Sequence, residues 1–161
     1  MNKLNMKNIS VPASIELLFD NEKLDLIKTM GLLYAWSSIN KNKYRKVSEI
    51  VFYYSLVNFD LIKLFEENKD NRSSISPNLY FRFQNKINKI LLYLSYLDFI
   101  EIKGSLAFKT GDLAARLTES GSEFYGEMDS DYFSKLVQDY IYTMNQIDYT
   151  ANNLKVLRGI S

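Results

Sequence analysis

Apolar residues recur along most of this chain at helical spacing. Leu24, Ile27, Met30, Leu33, Tyr34 and Trp36 form a wide apolar face that predicts a first helix over 22–39, with Asp20 or Asn21 at its start. A polar, basic connection at 40–46 follows, and Val47, Ile50, Val51 and Tyr54 restart the period. Asn58-Phe59-Asp60 reads as a break, with Asp60 opening a short helix over 61–67. Residues 68–76 are the most polar stretch and read as a loop, and Ser76-Pro77-Asn78 supplies helix-start chemistry. Phe83, Ile87, Ile90, Leu94 and Leu97 then step by four, three, four and three, which predicts a third helix over 79–97 with that face buried.

The period changes beyond it. Asp98, a short polar residue tolerant of the left-handed conformation, separates the third helix from the strand-like alternation of Phe99–Lys103. Gly104-Ser105 is turn-like, Ala114–Leu117 reads as the returning strand, and the loop between holds Lys109, Gly111 and Asp112. Thr118 or Ser120 can cap a short helix over 122–128. Phe133, Leu136, Val137, Tyr140, Met144 and Ile147 define a last helix over 131–147, and 148–161 reads as a weakly structured tail. The expected fold class is mainly α with a small β-hairpin, in one domain spanning 1–161, with its core at about 22–128.

Composition narrows the chemistry. The 161 residues include no His and no Cys, which excludes Cys/His zinc sites, thiol nucleophiles, disulfides and imidazole bases. Only 6 Gly are present, and no Gly-x-x-x-x-Gly-Lys-Ser/Thr occurs. The expectation is a protein that is not an enzyme and holds no cofactor or metal. Residues 1–10 never build an apolar signal core, and no long uncharged apolar window exists, so a cytoplasmic protein with no membrane partner is expected.

The net charge of +1 hides an asymmetry. Residues 71–110 hold 6 basic and 2 acidic residues, whereas 111–161 hold 4 and 8. Near-neutrality excludes a broad coat for nucleic acid but leaves room for a local patch.

Candidate sites follow from these patterns. Arg82, Lys86, Lys89, Tyr93 and Tyr96 fall on one face of the third helix, away from the apolar stripe. That face can be a partner surface, a nucleic-acid surface or a plain solvated helix face; Tyr with Arg suits protein contacts. Lys103 and Lys109 could set the hairpin against a phosphate backbone. Asp112, Glu119, Glu123, Glu127, Asp129 and Asp131 oppose this, set against Arg116 alone over 111–131. Asp129-Ser130-Asp131 invites a Mg²⁺ reading but is better explained as helix-start chemistry. Tyr132, Tyr142, Leu154, Val156, Leu157 and Ile160 lie off the main stripe or in the tail and are candidates for assembly; scattered surface tyrosine is the plain alternative.

Two resemblances build on these strings. LLYLSYLDFIEI followed by ARLTESGSEF resembles the end of the third helix, first wing strand and return strand of winged-helix domains, and the element order agrees. Over nearly the whole chain, LIKTMGLLYAW, VSEIVFYYSLVNFDL, FQNKINKILLYLSYLDFIEI, AARLTESGSEFYGEM and DYFSKLVQDYIY together look like the small middle component of bacterial ABC three-component systems of the Lamassu anti-phage type. The resemblance implies a winged-helix-like domain with an extra C-terminal helix. It also implies a non-catalytic adaptor bridging an SMC-like or Rad50-like ABC ATPase and an effector such as a nuclease, with DNA reached through the complex or weakly through the third helix. The rival expectation is a stand-alone winged-helix transcription regulator, which needs a symmetric dimer and a basic helix and wing.

Overall fold

A computed structural model of the chain describes residues 21–65, 78–104 and 113–159. The protein is mainly helical with a small three-stranded antiparallel sheet, in the order α1 (Asn21–Asn40), β1 (Arg45–Lys46), α2 (Val47–Asn58), a 3-10 helix (Leu61–Phe65), α3 (Asn78–Tyr96), β2 (Ile100–Lys103), β3 (Ala114–Leu117), α4 (Glu119–Gly126), α5 (Asp131–Gln146) and α6 (Ala151–Leu157). The sheet order β1-β3-β2 and the succession through β3 give a winged-helix-like α+β fold.

The connection read as polar and basic holds β1, where Arg45 pairs with Ala115 and Lys46 with Ala114. Two residues are too few to display an alternating pattern. In the wing, Ile100 pairs with Leu117 and Lys103 with Ala114. Ile100, Ala115 and Leu117 are buried, while Glu101 and Lys103 are exposed and Arg116 is half-buried, so the sheet has one core face and one outer face.

α1 and α2 are apolar around most of their circumference because they are surrounded. Met30, Leu32, Leu33, Ala35 and Trp36 of α1 are buried, as are eight consecutive-turn positions of α2 including Ile50, Phe52, Tyr54 and Leu56. α5 lies along α1 and also contacts α2. The Tyr140 hydroxyl donates to the Lys28 carbonyl at 2.9 Å and accepts from Asn58 Nδ2 at 2.7 Å, joining α5, α1 and α2. α2 breaks as expected: Asp60 adopts φ 57° before the 3-10 helix.

α3 ends as its sequence indicates. Asp98 takes φ 63°, the Phe99 amide donates to the Leu94 carbonyl at 3.0 Å, and the Asp98 amide donates to Ser95 at 3.0 Å. This pair of bonds closes the helix around a left-handed residue. Leu97 is thereby carried out of the helix and is 45% exposed, so the buried stripe stops at Leu94. Thr118 then ties the wing together: its hydroxyl donates to the Asp98 carbonyl at 2.7 Å and caps α4 by accepting from the Gly121 amide at 3.0 Å.

The segment read as a weakly structured tail instead forms α6. Thr150 caps it by accepting from the Asn153 amide at 3.1 Å, Leu157 is completely buried, and the Tyr149 hydroxyl donates to Ser48 Oγ at 2.7 Å. Three helices, not two and a tail, therefore follow the wing.

Candidate functional site

α3 carries Arg82, Lys86, Lys89, Tyr93 and Tyr96, and its packing fixes where they point. Phe83, Ile87, Ile90, Leu91 and Leu94 are buried, and the Phe83 ring stacks on Tyr54 of α2 with centroids 3.7 Å apart. With that rotation fixed, Lys86, Lys89 and Tyr93 fall on the flank beside the start of α1, not diametrically away from the core.

Both lysines are engaged there. Lys86 Nζ lies 3.0 Å from Asp25 Oδ2 and Lys89 Nζ lies 2.8 Å from Glu22 Oε1. Asp25 is largely shielded and accepts a second bond from the Tyr54 hydroxyl at 2.9 Å. The Lys89 pair stands in solvent; the hydrogen bond to Glu22, then that carboxylate's charge, raises the Lys89 ammonium above the ordinary lysine value. A carboxylate beside each ammonium cancels most of the positive potential that α3 would offer a phosphate. Arg82 is exposed and makes no ion pair with a described residue. Asp25, Leu26, Lys86, Lys89, Ile90 and Tyr93 line a groove of about 550 Å³ between the two helices.

The C-terminal half of α3 has a different surface. Tyr93 is 52% and Tyr96 79% exposed, and Leu92 and Leu97 stand out beside them. Phe124 of α4 is also exposed and stacks on Phe99, the residue after the α3 turn, at 4.7 Å. Leu92, Leu97 and Phe124 were not among the sequence candidates. Leu92 lies off the four-and-three stripe, which was the available sign.

The remaining candidates scatter. Lys103 is exposed on the outer face of the wing, and Lys109 and Ile160 lie outside the described residues. Tyr132 and Tyr142 are exposed on α5, and Val156 on α6. Leu157, expected at an assembly surface, is buried, and Leu154 packs partly against the core; both cover α6's own contact with the domain. Ser130 precedes α5, but its side chain makes no cap bond, so the Asp129-Ser130-Asp131 stretch marks the helix start without the expected hydrogen bond.

The hydroxyls of Tyr54, Tyr125 and Tyr140 are pushed to higher pKa, by burial first and by neighbouring charges and phenols after it, and they serve as donors to Asp25, Phe133 and Lys28. Among the described residues no cluster of three Asp or Glu residues could hold a metal ion, and no helix is long and apolar enough to cross a membrane. What the arrangement offers is contact area: Leu92, Tyr93 and Tyr96 at the end of α3, Leu97 in the turn after it, and Phe124 of α4. No family model, curated protein or solved structure matches the chain.

Proposed function

We propose that this chain is a non-catalytic adaptor that binds a protein partner through the exposed end of α3. The observation that carries the reading is the division of labour along α3: Lys86 and Lys89 are held by carboxylates of α1, while Leu92, Tyr93, Tyr96 and Leu97 stand uncovered. Tyrosine supplies large contact area with few rotors to freeze, and apolar neighbours supply the desolvated centre that interface hot spots need. A helix that read duplex DNA would present free cations instead. The resemblance to Lamassu-type systems names the partners: an SMC-like ABC ATPase, with an effector bridged to it. The sequence has no His and no Gly-x-x-x-x-Gly-Lys-Ser/Thr phosphate loop, so on this reading the chemistry belongs to those partners.

Where an SMC-like ABC ATPase gene lies beside this one, co-expression of the two tests the reading. The two should co-purify, and Tyr93→Ala with Tyr96→Ala should weaken the complex at least tenfold, an effect of about 1.4 kcal/mol or more, while leaving the helical spectrum unchanged. A chain that ignores the ATPase and instead binds one operator sequence as a dimer through Arg82 would make it a transcription regulator. ATP turnover or DNA cleavage by the purified chain, abolished by a substitution in it, would also overturn the adaptor reading.

A further inference from the structure

We propose that the outer face of the sheet, with the turn between α1 and β1, is a second and separate binding surface that holds the sugar-phosphate backbone of duplex DNA without reading its sequence. The register places Lys46 and Lys103 on either side of Ala114 in one row across the sheet, two strand spacings or roughly 10 Å apart. Lys41 and Lys43 of the adjoining turn gather with Arg45 and Arg116 around one crevice at the sheet edge. All four lysines are exposed, and none forms an ion pair with a described residue. Among the described residues the carboxylates beside this patch are engaged: Glu101 by Arg116 at 3.3 Å and Glu49 by Arg45 at 3.6 Å. Four lysines without a carboxylate partner among the described residues therefore lie on the sheet's outer face and the turn beside it, the opposite of the situation of Lys86 and Lys89 on α3.

The surface is also held in place. Arg116 Nη1 donates to the Asn42 carbonyl at 3.0 Å, and the Asn42 amide donates to Asn40 Oδ1 at 3.1 Å, which pins the turn to β3. Tyr44 lies beneath the Arg116 guanidinium at 4.5 Å and the Lys103 ammonium at 5.6 Å from its ring centre, bracing both. The cations are thus set out before any ligand arrives.

The chemistry favours phosphates over an acidic protein or a lipid surface. Of the large apolar side chains exposed among the described residues, only Ile39 stands beside this patch; the others are on α3 and the helices after the sheet. A protein interface needs an apolar centre and is depleted in lysine, and a membrane-bound face needs insertable apolar groups. Lysine heads without either suit the regular charge of a duplex, about one per 1.7 Å of axis. The Arg116 fork, which could otherwise grip a guanine edge, is occupied, so base sequence should not matter.

Fluorescence anisotropy with short labelled duplexes of unrelated sequence tests this on the intact chain. The protein should bind them equally at low salt, with the logarithm of affinity falling linearly against the logarithm of salt concentration. The K41A/K43A/K46A/K103A variant should bind more than about tenfold more weakly, and each phosphate contact removed should flatten the salt slope by about 0.9. The four lysines changed together to Arg should retain binding, and Lys46→Ala or Lys103→Ala alone should each flatten the slope, so the result does not depend on one multiple variant folding. Leu92→Ala with Tyr96→Ala should leave DNA binding untouched, which separates this surface from the partner face. No binding at low salt, an unaffected quadruple variant, strong preference for one sequence, or tighter binding to polyglutamate than to DNA would each overturn the proposal.

Discussion

Asp25 receives the Tyr54 hydroxyl at 2.9 Å and Lys86 at 3.0 Å on its two carboxylate oxygens, so one residue of α1 meets the buried face of α2 and the solvent flank of α3. The two bonds are unequal. Tyr54 is buried, and a phenol left there without an acceptor costs about 1–3 kcal/mol. Lys86 is half-exposed and regains water when its partner goes, so its pair is worth under about 1 kcal/mol. Asp25→Ala should therefore destabilise the fold by about 1–3 kcal/mol in chemical denaturation, Lys86→Ala by less than about 1 kcal/mol, and Asp25→Asn, which keeps an acceptor for Tyr54, should fall between them. Equal losses for Asp25→Ala and Lys86→Ala would mean that the hydroxyl bond carries nothing.

That relationship marks the limit of what the sequence discloses. Periodicity located α3 and named Phe83, Ile87, Ile90 and Leu94 as its core side, because a helix face is a local property. Asp98 announced the turn because few residues accept positive φ. Leu97 continued the same period, yet the turn it enters removes it from the stripe. The partners of Lys86 and Lys89 lie more than sixty residues away on another helix, and nothing in the spacing along α3 points to them. α6, at seven residues, offers one apolar pair at helical spacing, Leu154 and Leu157, too little to distinguish a docked helix from a tail.

Two glycines face different obstacles and should respond differently to alanine. A Cβ on Gly121 would stand 2.2 Å from the Phe99 carbonyl oxygen and 3.0 Å from Leu117 Cδ1, and that carbonyl is held by the Thr118 amide. Backbone has to move, so Gly121→Ala should cost about 1–3 kcal/mol or more in thermal unfolding. A Cβ on Gly31 meets the far end of one side chain, the Tyr125 hydroxyl at 2.6 Å and its Cζ at 3.1 Å. That ring can swing away if it gives up its 3.0 Å bond to the Phe133 carbonyl, and alanine returns up to about 1 kcal/mol of helix propensity. Gly31→Ala should thus be the milder change, and milder still in a Tyr125→Phe background, where a double-mutant cycle reads the coupling.

α6 acts as part of the core. Leu157 is fully buried, Tyr149 packs edge-on against Phe52 at 5.2 Å, and its hydroxyl reaches Ser48. Leu157→Ala should cost about 2–5 kcal/mol, whereas Val156→Ala, at an exposed position of the same helix, should stay within about 0.5 kcal/mol. Removing 148–161 should lower the unfolding temperature of the isolated chain before any assembly is measured. A truncated chain as stable as the intact one would restore the segment to a purely external role.

Alkaline titration gives a global check on the buried phenols. Burial, followed by the charges of Glu49 and Asp148, pushes the Tyr53 hydroxyl up to about 12. Burial also leads the upward shifts of Tyr54, Tyr80, Tyr125 and Tyr140. In the unfolded chain these groups ionise near 10. The native state therefore holds protons that the unfolded state releases, so this contribution to stability is complete below about pH 10 and declines as pH rises through the native values. Each fully linked group removes about 1.4 kcal/mol per pH unit in that window, and several acting together can exhaust a typical fold stability of about 5–15 kcal/mol. Circular dichroism and tyrosinate absorbance, followed together, should show cooperative unfolding between about pH 10 and 12, with the buried rings ionising only as the helices are lost. Ionisation of all tyrosines near pH 10 with the helical spectrum intact would place these rings in contact with water and contradict the packing around Tyr54 and Tyr140.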